Sequence, residues 1–351
     1  MKPRPGMVKI DRKKIEALRI SLRITSDEDL AEGTLMSRQT LNRYLNQPTM
    51  PVDYLNSLAT RLGTTSESLM PTSSFTQVEE LPHVIVPPRN WDVRELSPPT
   101  AAANGLTYHI AKLKSTLIDG QFARGKFYDL AGVDQKNQAK LRACLSRHAV
   151  VCESCIDSQR IARNRTVIPL GNDTAWWVLD YWIDGSALDS LIYPRQELSH
   201  SLIKHLGTEI LLGLDELHSH GVVMRELTPD KVIVSEDQQK CTLTDFEMAI
   251  LTQGTISVSN RSMDQSAYLA RENINDSHYN RKPEIVKSRD IFSWAAIIIE
   301  LFTGDPRADI ARLSEYLPNK KLAKFLMDCR HPRADLRPKA VAEVLEVWNK
   351  W

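Results

Sequence analysis

A chain of 351 residues is long enough for two domains, and its 42% apolar and 25% charged residues are ordinary for a globular protein. Its 45 Lys and Arg against 44 Asp and Glu leave a formal net charge of +1, so any nucleic-acid contact has to be a local patch. The longest apolar run, Ala295 to Ile299, is too short for a bilayer span, and no apolar stretch follows the basic N-terminus, so neither a membrane partner nor a secretory signal is expected.

In chain order, Ile15, Leu18 and Leu22 repeat at helical spacing. Ser26 with Asp29 three residues on is close to a capping box, and Ser37 is a second N-cap, before RQTLNRYLN. Pro51 suits the first turn of VDYLNSLATRLG, Gly63 ends that helix, and SESLM predicts a short last one. Five short helices over residues 8–70, with a tight turn between the second and third, predict an all-α helix-turn-helix bundle. Through DLA, SRQTLNRYL and LATRLGTTSESL the segment resembles the lambda-repressor-like (XRE-type) family. That resemblance implies double-stranded DNA as partner, a homodimer on a palindrome, and the start of the third helix in the major groove. Arg38, Gln39 and Asn42 would then meet base edges, with Ser37, Arg43 and Arg23 on phosphates. One departure favours a protein-interaction module instead: Asp27, Glu28 and Asp29 stand where the family usually carries a glutamine near a phosphate.

Residues 71–104 carry Pro71, Pro82, Pro87, Pro88, Pro98 and Pro99 and read as a linker, or as a strap over a neighbouring domain. Five cysteines fit a reducing cytosol and a cytoplasmic location. The single Cys152–Cys155 pair lacks a partner pair at zinc spacing and reads as buried packing.

From residue 105 the pattern is mixed. After the strand-like TYHIAKLKSTLI, Gly120 and Gly125 with Lys126, Phe127 and Tyr128 resemble the glycine-rich loop of protein kinases. Lys140, fifteen residues on, stands for the strand lysine of that family and Glu153, thirteen further, for its helix partner, with Lys136 and Arg142 as rival cations. AWWVLDYWIDGSALDSLI resembles the hinge, with Leu179 as gatekeeper and the backbone from Asp180 to Trp182 facing an adenine, while Trp176, Trp177 and Trp182 read as packing. The segment MRELTPDK stands where active kinases read HRDLKPxN, and Asp245-Phe246-Glu247, nineteen residues beyond Glu226, stands for DFG. Tyr268 to Glu272, Asp290 to Trp294, the stretch ending at Gly304, and Arg337-Pro338 follow in the family's order. The resemblance implies an α+β bilobal fold over 105–351, with an N-lobe of about 105–180 and a C-lobe of about 181–351.

The substitutions bear on chemistry. Glu226 carries its carboxylate one methylene further out than the family's aspartate, a misplacement of about 1 Å that costs on the order of 10²-fold in rate. Lys231 replaces an asparagine whose oxygen holds magnesium, and an ammonium only donates, although it can meet a phosphate directly. Thr228, Met224 and Glu247 replace a phosphate-steadying lysine, a propping histidine and a flexible glycine. Asp245, the principal magnesium ligand of the family, is kept. The expectation is a DNA-binding transcriptional regulator whose kinase-like domain is a pseudokinase sensor or scaffold, binding ATP with magnesium at Asp245. The alternative is a divergent Ser/Thr kinase, or another ATP-dependent transferase, with Glu226 and Asp245 as its degenerate catalytic pair and phosphosites among Thr252, Thr255, Ser257, Ser259 and Ser262.

Overall fold

The computed structural model describes residues 7–47, 49–64, 66–70, 76–77, 85–101, 107–131, 133, 135–171, 174–192, 198–251, 267–270, 283–317 and 319–351. Met7–Lys9 (β1) pairs antiparallel with Thr49–Pro51 (β2), so the N-terminal unit carries a two-stranded ribbon beside its helices and is not all-α. Asp11 caps α1 (Arg12–Ser21) by accepting the Lys13 and Lys14 N–H groups. Ser26 caps α2 (Asp27–Ala31) and Ser37 caps α3 (Arg38–Leu45), each hydroxyl taking an otherwise orphaned first-turn N–H. Pro51 precedes α4 (Val52–Arg61), and Gly63, at φ +73, turns the chain away after it. The expected last helix is a single 3₁₀ turn, Glu67–Leu69. Ile15, Leu18, Leu30, Leu41, Leu55 and Leu58 are buried together at the centre.

The next layer is one antiparallel sheet. Thr76–Gln77 (β3), Trp91–Leu96 (β4), Thr107–Ser115 (β6), Phe122–Asp129 (β7), Ala175–Tyr181 (β9) and Asn164–Leu170 (β8) lie in the spatial order β3-β4-β6-β7-β9-β8, with Thr100–Ala101 (β5) paired to β6. Residues 71–104 are therefore more than a linker, because WDVREL supplies a six-residue strand. Pro87, Pro88, Pro98 and Pro99 sit outside the strands, where a missing N–H breaks no ladder. The strap reading fits the segment before β4: Ile85 is buried in the sheet core and the carbonyl of Val86 accepts the Trp177 indole N–H at 2.8 Å. Pro71 and Pro82 lie outside the described residues. The 20-residue helix α5 (Gln135–Ser154) crosses between β7 and β8.

The larger lobe is helical. After Ser186–Ala187 (β10) and the short α6 (Asp189–Ile192), α7 (His200–Ser219) packs against α8 (Pro283–Thr303). Between them run Val222–Val223 (β11), the 3₁₀ turn Pro229–Lys231, the hairpin Val232–Val234 (β12) with Cys241–Leu243 (β13), and Ile250–Leu251 (β14). Helices α9 (Ile310–Tyr316), α10 (Lys320–Cys329) and α11 (Val341–Lys350) close the lobe, and Trp294 meets Trp348 edge-on at 5.1 Å. The helical bundle is docked on this lobe: Lys14 of α1 reaches Asp189 of α6 at 3.3 Å with both side chains buried, and Arg307 donates to the Thr60 carbonyl. No helix among the described residues is long and apolar enough to cross a membrane.

Candidate functional site

Between the lobes lies a cavity of about 330 Å³. Its walls include Tyr108 and Ile110 from β6, Trp182 after β9, Ile233 from β12, and Met70 from the end of the helical bundle. Trp182 thus does more than pack; it forms the cleft wall with the Lys112 ammonium 4.6 Å from its ring centre.

The floor is built by β7 and the segment after β13. Alternation along a strand puts Arg124 and Lys126 on one face. Arg124 grips Asp245 with two bonds, of 2.8 and 3.1 Å, and approaches Asp180 at 3.6 Å. Lys126 reaches Asp245 at 3.2 Å and Glu247 at 3.0 Å, and Glu247 also accepts the Tyr128 hydroxyl. Burial alone would raise the Asp245 carboxyl, but the two cations outweigh it and hold it well below the usual carboxylate range. Asp245 has φ +67, left-handed for a non-glycine residue, and nearly full burial keeps it there.

Asp180, on β9, accepts from Asn164 and pairs with His148 of α5 at 2.8 Å. The other ring nitrogen of His148 accepts the Phe246 N–H, so the tautomer that fits both bonds carries its proton on Nε2. His148 thereby ties α5, β9 and the Asp245 segment together.

The catalytic-loop segment is anchored from below. Asp290 of α8 accepts the backbone N–H groups of Met224 and Arg225 at 2.8 and 2.7 Å and pairs with His218. The loop is thus held although Met224 stands where a propping histidine was expected. Inside it, Lys231 closes on Glu226 at 2.6 Å. Burial works to lower the Lys231 pKa, but Glu226 and Asp230 hold it above the ordinary lysine value.

Several expected positions are not brought together. Gly120 is the left-handed turn residue of the β6–β7 hairpin, and Gly125 lies inside β7, where an added Cβ would stand 2.7 Å from the Trp177 ring. Neither is among the residues that line the cavity, so the GQFARGKFY segment is a hairpin and a strand instead of a phosphate cradle. Lys140 and Glu153 both sit on α5; thirteen residues of helix separate them by about 20 Å, which rules out an ion pair between them. Glu153 is exposed, the side chains of Lys140 and Lys136 lie outside the described residues, and Arg142 reaches Gln138 on its own helix. Sequence reasoning missed Arg124, Lys126 and His148. The signal was present: a strand cation has to precede the helix that begins near residue 135, and FARGKFYD offers two at strand spacing.

The residues do not fit a magnesium ion at Asp245. Both of its oxygens are held by Arg124 and Lys126, Lys231 presents an ammonium where an oxygen ligand is needed, and no cluster of metal-ligating side chains occurs among the described residues. The five cysteines are free and buried, in line with a packing role for Cys152 and Cys155. Arg271, Glu272 and the candidate phosphosites Thr252, Thr255, Ser257, Ser259 and Ser262 lie outside the described residues.

A sheet-rich lobe and a helical lobe around a cleft, with an ordered loop below it, define the bilobal protein-kinase-like fold. The protein kinase domain profile matches residues 134–340, more than half of the chain, and the chain belongs to that family. It is 26% identical over 161 residues to serine/threonine-protein kinase PKH2 of Candida albicans, an alignment covering 44% of this chain and 16% of the relative. It is 30% identical over 129 residues to a probable serine/threonine-protein kinase PknB of Lactococcus lactis, covering 36% and 20% respectively. The chain thus spans a fifth or less of the length of these two relatives. The solved kinase domain of PknI from Mycobacterium tuberculosis superposes with a TM-score of 0.57 at 18% identity, covering 77% of this chain and 99% of that one. Membership brings a general capacity for nucleotide and magnesium at the level of the family.

Proposed function

We propose that the kinase-fold domain is a sensor or scaffold that does not transfer phosphate, and that it governs a DNA-binding helical bundle. One observation carries the reading: both carboxylates on which phosphoryl transfer would depend are neutralised from within, Asp245 by Arg124 and Lys126 and Glu226 by Lys231. Transfer needs a free base for the hydroxyl and metal ions on the phosphates. A Glu226 carboxylate held by an ammonium is a poor base, and a doubly paired Asp245 is a poor metal ligand. The DNA-binding half is supported by the α2–turn–α3 geometry, in which Ser37, Arg38, Gln39 and Arg43 are exposed and Asn42 is half-buried. The acidic start of α2 is partly answered by Arg19, 2.7 Å from Asp27, and by Arg38, 3.7 Å from Glu28.

A second reading, a divergent Ser/Thr kinase targeted by the bundle, is favoured by the kinases among the relatives and by the retained Arg225 and Asp245. Incubation of the full chain with labelled ATP and magnesium decides between them. The sensor reading expects no incorporation above background; incorporation in the wild type that Asp245→Ala abolishes establishes the kinase instead. Selection from a random duplex pool tests the DNA half, which fails if no sequence is enriched.

A further inference from the structure

We infer that the interlobe cavity binds an organic cation, an amidinium, guanidinium or ammonium carried on a flat apolar body, held by Asp189 and Asp230. The inference deepens the sensor reading, on which it rests, by naming the ligand class.

Asp189 is 4% exposed, lines the cavity, and pairs through Oδ2 with Lys14; its buried Oδ1 has no hydrogen-bond partner. Asp230 lines the same cavity from the turn before β12, and its Oδ1 is likewise buried without a partner. Two unpartnered carboxylate oxygens on separate elements suit a ligand with two N–H groups, the geometry in which amidinium and guanidinium groups pair with carboxylates. A buried carboxylate oxygen left without a donor is costly, so a donor supplied by a ligand is favoured.

The remaining walls select the rest of the molecule. Among the described residues the charged side chains on the cavity surface are Glu95, Asp189, Asp230, Asp245 and Arg124. Glu95 is answered by Lys112 at 3.8 Å and Asp245 by Arg124 and Lys126, which leaves Asp189 and Asp230 as the acids with an unpartnered oxygen. Arg124 is committed to Asp245, so the described lining residues offer no uncommitted cation for a polyphosphate. Met70, Tyr108, Ile110, Trp182, Ile183 and Ile233 give the apolar surface. Roughly 300 Å³ is the lower end of the range for small-molecule sites, which suits one ring with a short polar head. Because Met70 and the Lys14–Asp189 pair belong to the seat of the helical bundle, a cation bound at Oδ1 would share the Asp189 carboxylate with Lys14 and touch the bundle directly.

Calorimetric titration of the full chain with benzamidine and with benzamide, its uncharged isostere, tests this. Benzamidine is expected to bind about tenfold or more tightly than benzamide, the order that a charge-assisted hydrogen bond supplies. Asp230→Asn, which leaves the Lys14–Asp189 pair intact, is expected to remove most of that preference. Asp189→Asn should do the same, with circular dichroism confirming that the variant is folded. Equal binding of the two compounds, no binding of either, an unchanged preference in Asp230→Asn, or displacement of benzamidine by magnesium alone overturns the proposal. Phosphate incorporation from labelled ATP sinks the sensor reading, whereas charge-blind binding sinks only the ligand class, so the two failures are distinct.

Discussion

Arg124 and Lys126 converge on one carboxylate that burial would otherwise leave neutral. Asp245→Asn would take away the carboxylate that Arg124 and Lys126 share, leaving Arg124 only Asp180 at 3.6 Å and Lys126 only Glu247, and removing one member of a buried charge set costs about 3–5 kcal/mol. The expected outcome is a free energy of unfolding in urea lowered by that amount, read by tryptophan fluorescence. The pH dependence follows from the depressed carboxyls of Asp245 and Glu247. Their contribution is complete above the unfolded-state carboxylate range near pH 4 and is lost as pH falls through the lower folded-state values, because the unfolded chain then binds more protons. Asp245→Asn should flatten the acid limb of the stability profile; an unchanged limb would argue against these ion pairs. Asp245 was legible in the sequence because DFE keeps two residues of a motif that stands at a fixed distance from the catalytic loop. Its cations were not, because two basic residues in a strand look like surface charge until carboxylates 121 residues away, Asp245 for Arg124 and Glu247 for Lys126, are placed beside them.

At the scale of elements, β7 was misread because two glycines five residues apart imitate a loop. The structure gives each glycine a different reason. Gly125→Ala would push a methyl against Trp177 and Leu113, and overpacking of this kind costs about 1–3 kcal/mol. Gly120→Ala meets no atom within 4 Å but is held at φ +71, so about 1–2 kcal/mol of backbone strain is expected instead. Thermal unfolding of both variants checks the pair, and a functional phosphate loop would predict activity loss without the stability loss. The helices of the bundle were legible because caps and apolar spacing are local properties: Ser26, Ser37 and Gly63 act where the sequence put them. The ribbon of β1 with β2 was not legible, since its register joins segments some forty residues apart. If α3 reads bases, Arg38→Ala should cost about 1–3 kcal/mol of discrimination at one base pair, whereas Arg43→Ala should weaken all sequences alike and reduce the salt dependence.

Across the whole molecule, the docking of the bundle depends on a buried ion pair that no sequence pattern announces, between Lys14 and a residue 175 positions later. Burial pushes the Asp189 carboxyl up, against the pull of Lys14 and with Asp230 reinforcing the rise. A carboxyl raised in the folded state keeps a proton that the unfolded chain has released, so its contribution falls as pH rises through that interval. In Lys14→Met the remaining carboxyl is stranded, and the loss of stability should grow from acid to neutral pH toward about 3–5 kcal/mol. Denaturation at several pH values checks this, and a pH-independent loss would assign Lys14 a packing role instead. The pairing of Asp245 also has a consequence for the molecule in its surroundings. A kinase cleft that borrows its counter-ion from solution changes charge whenever divalent ions are depleted or chelated. Here the counter-ions are covalently part of the chain, so the electrostatics of the cleft, and whatever the bundle derives from them, should be indifferent to EDTA.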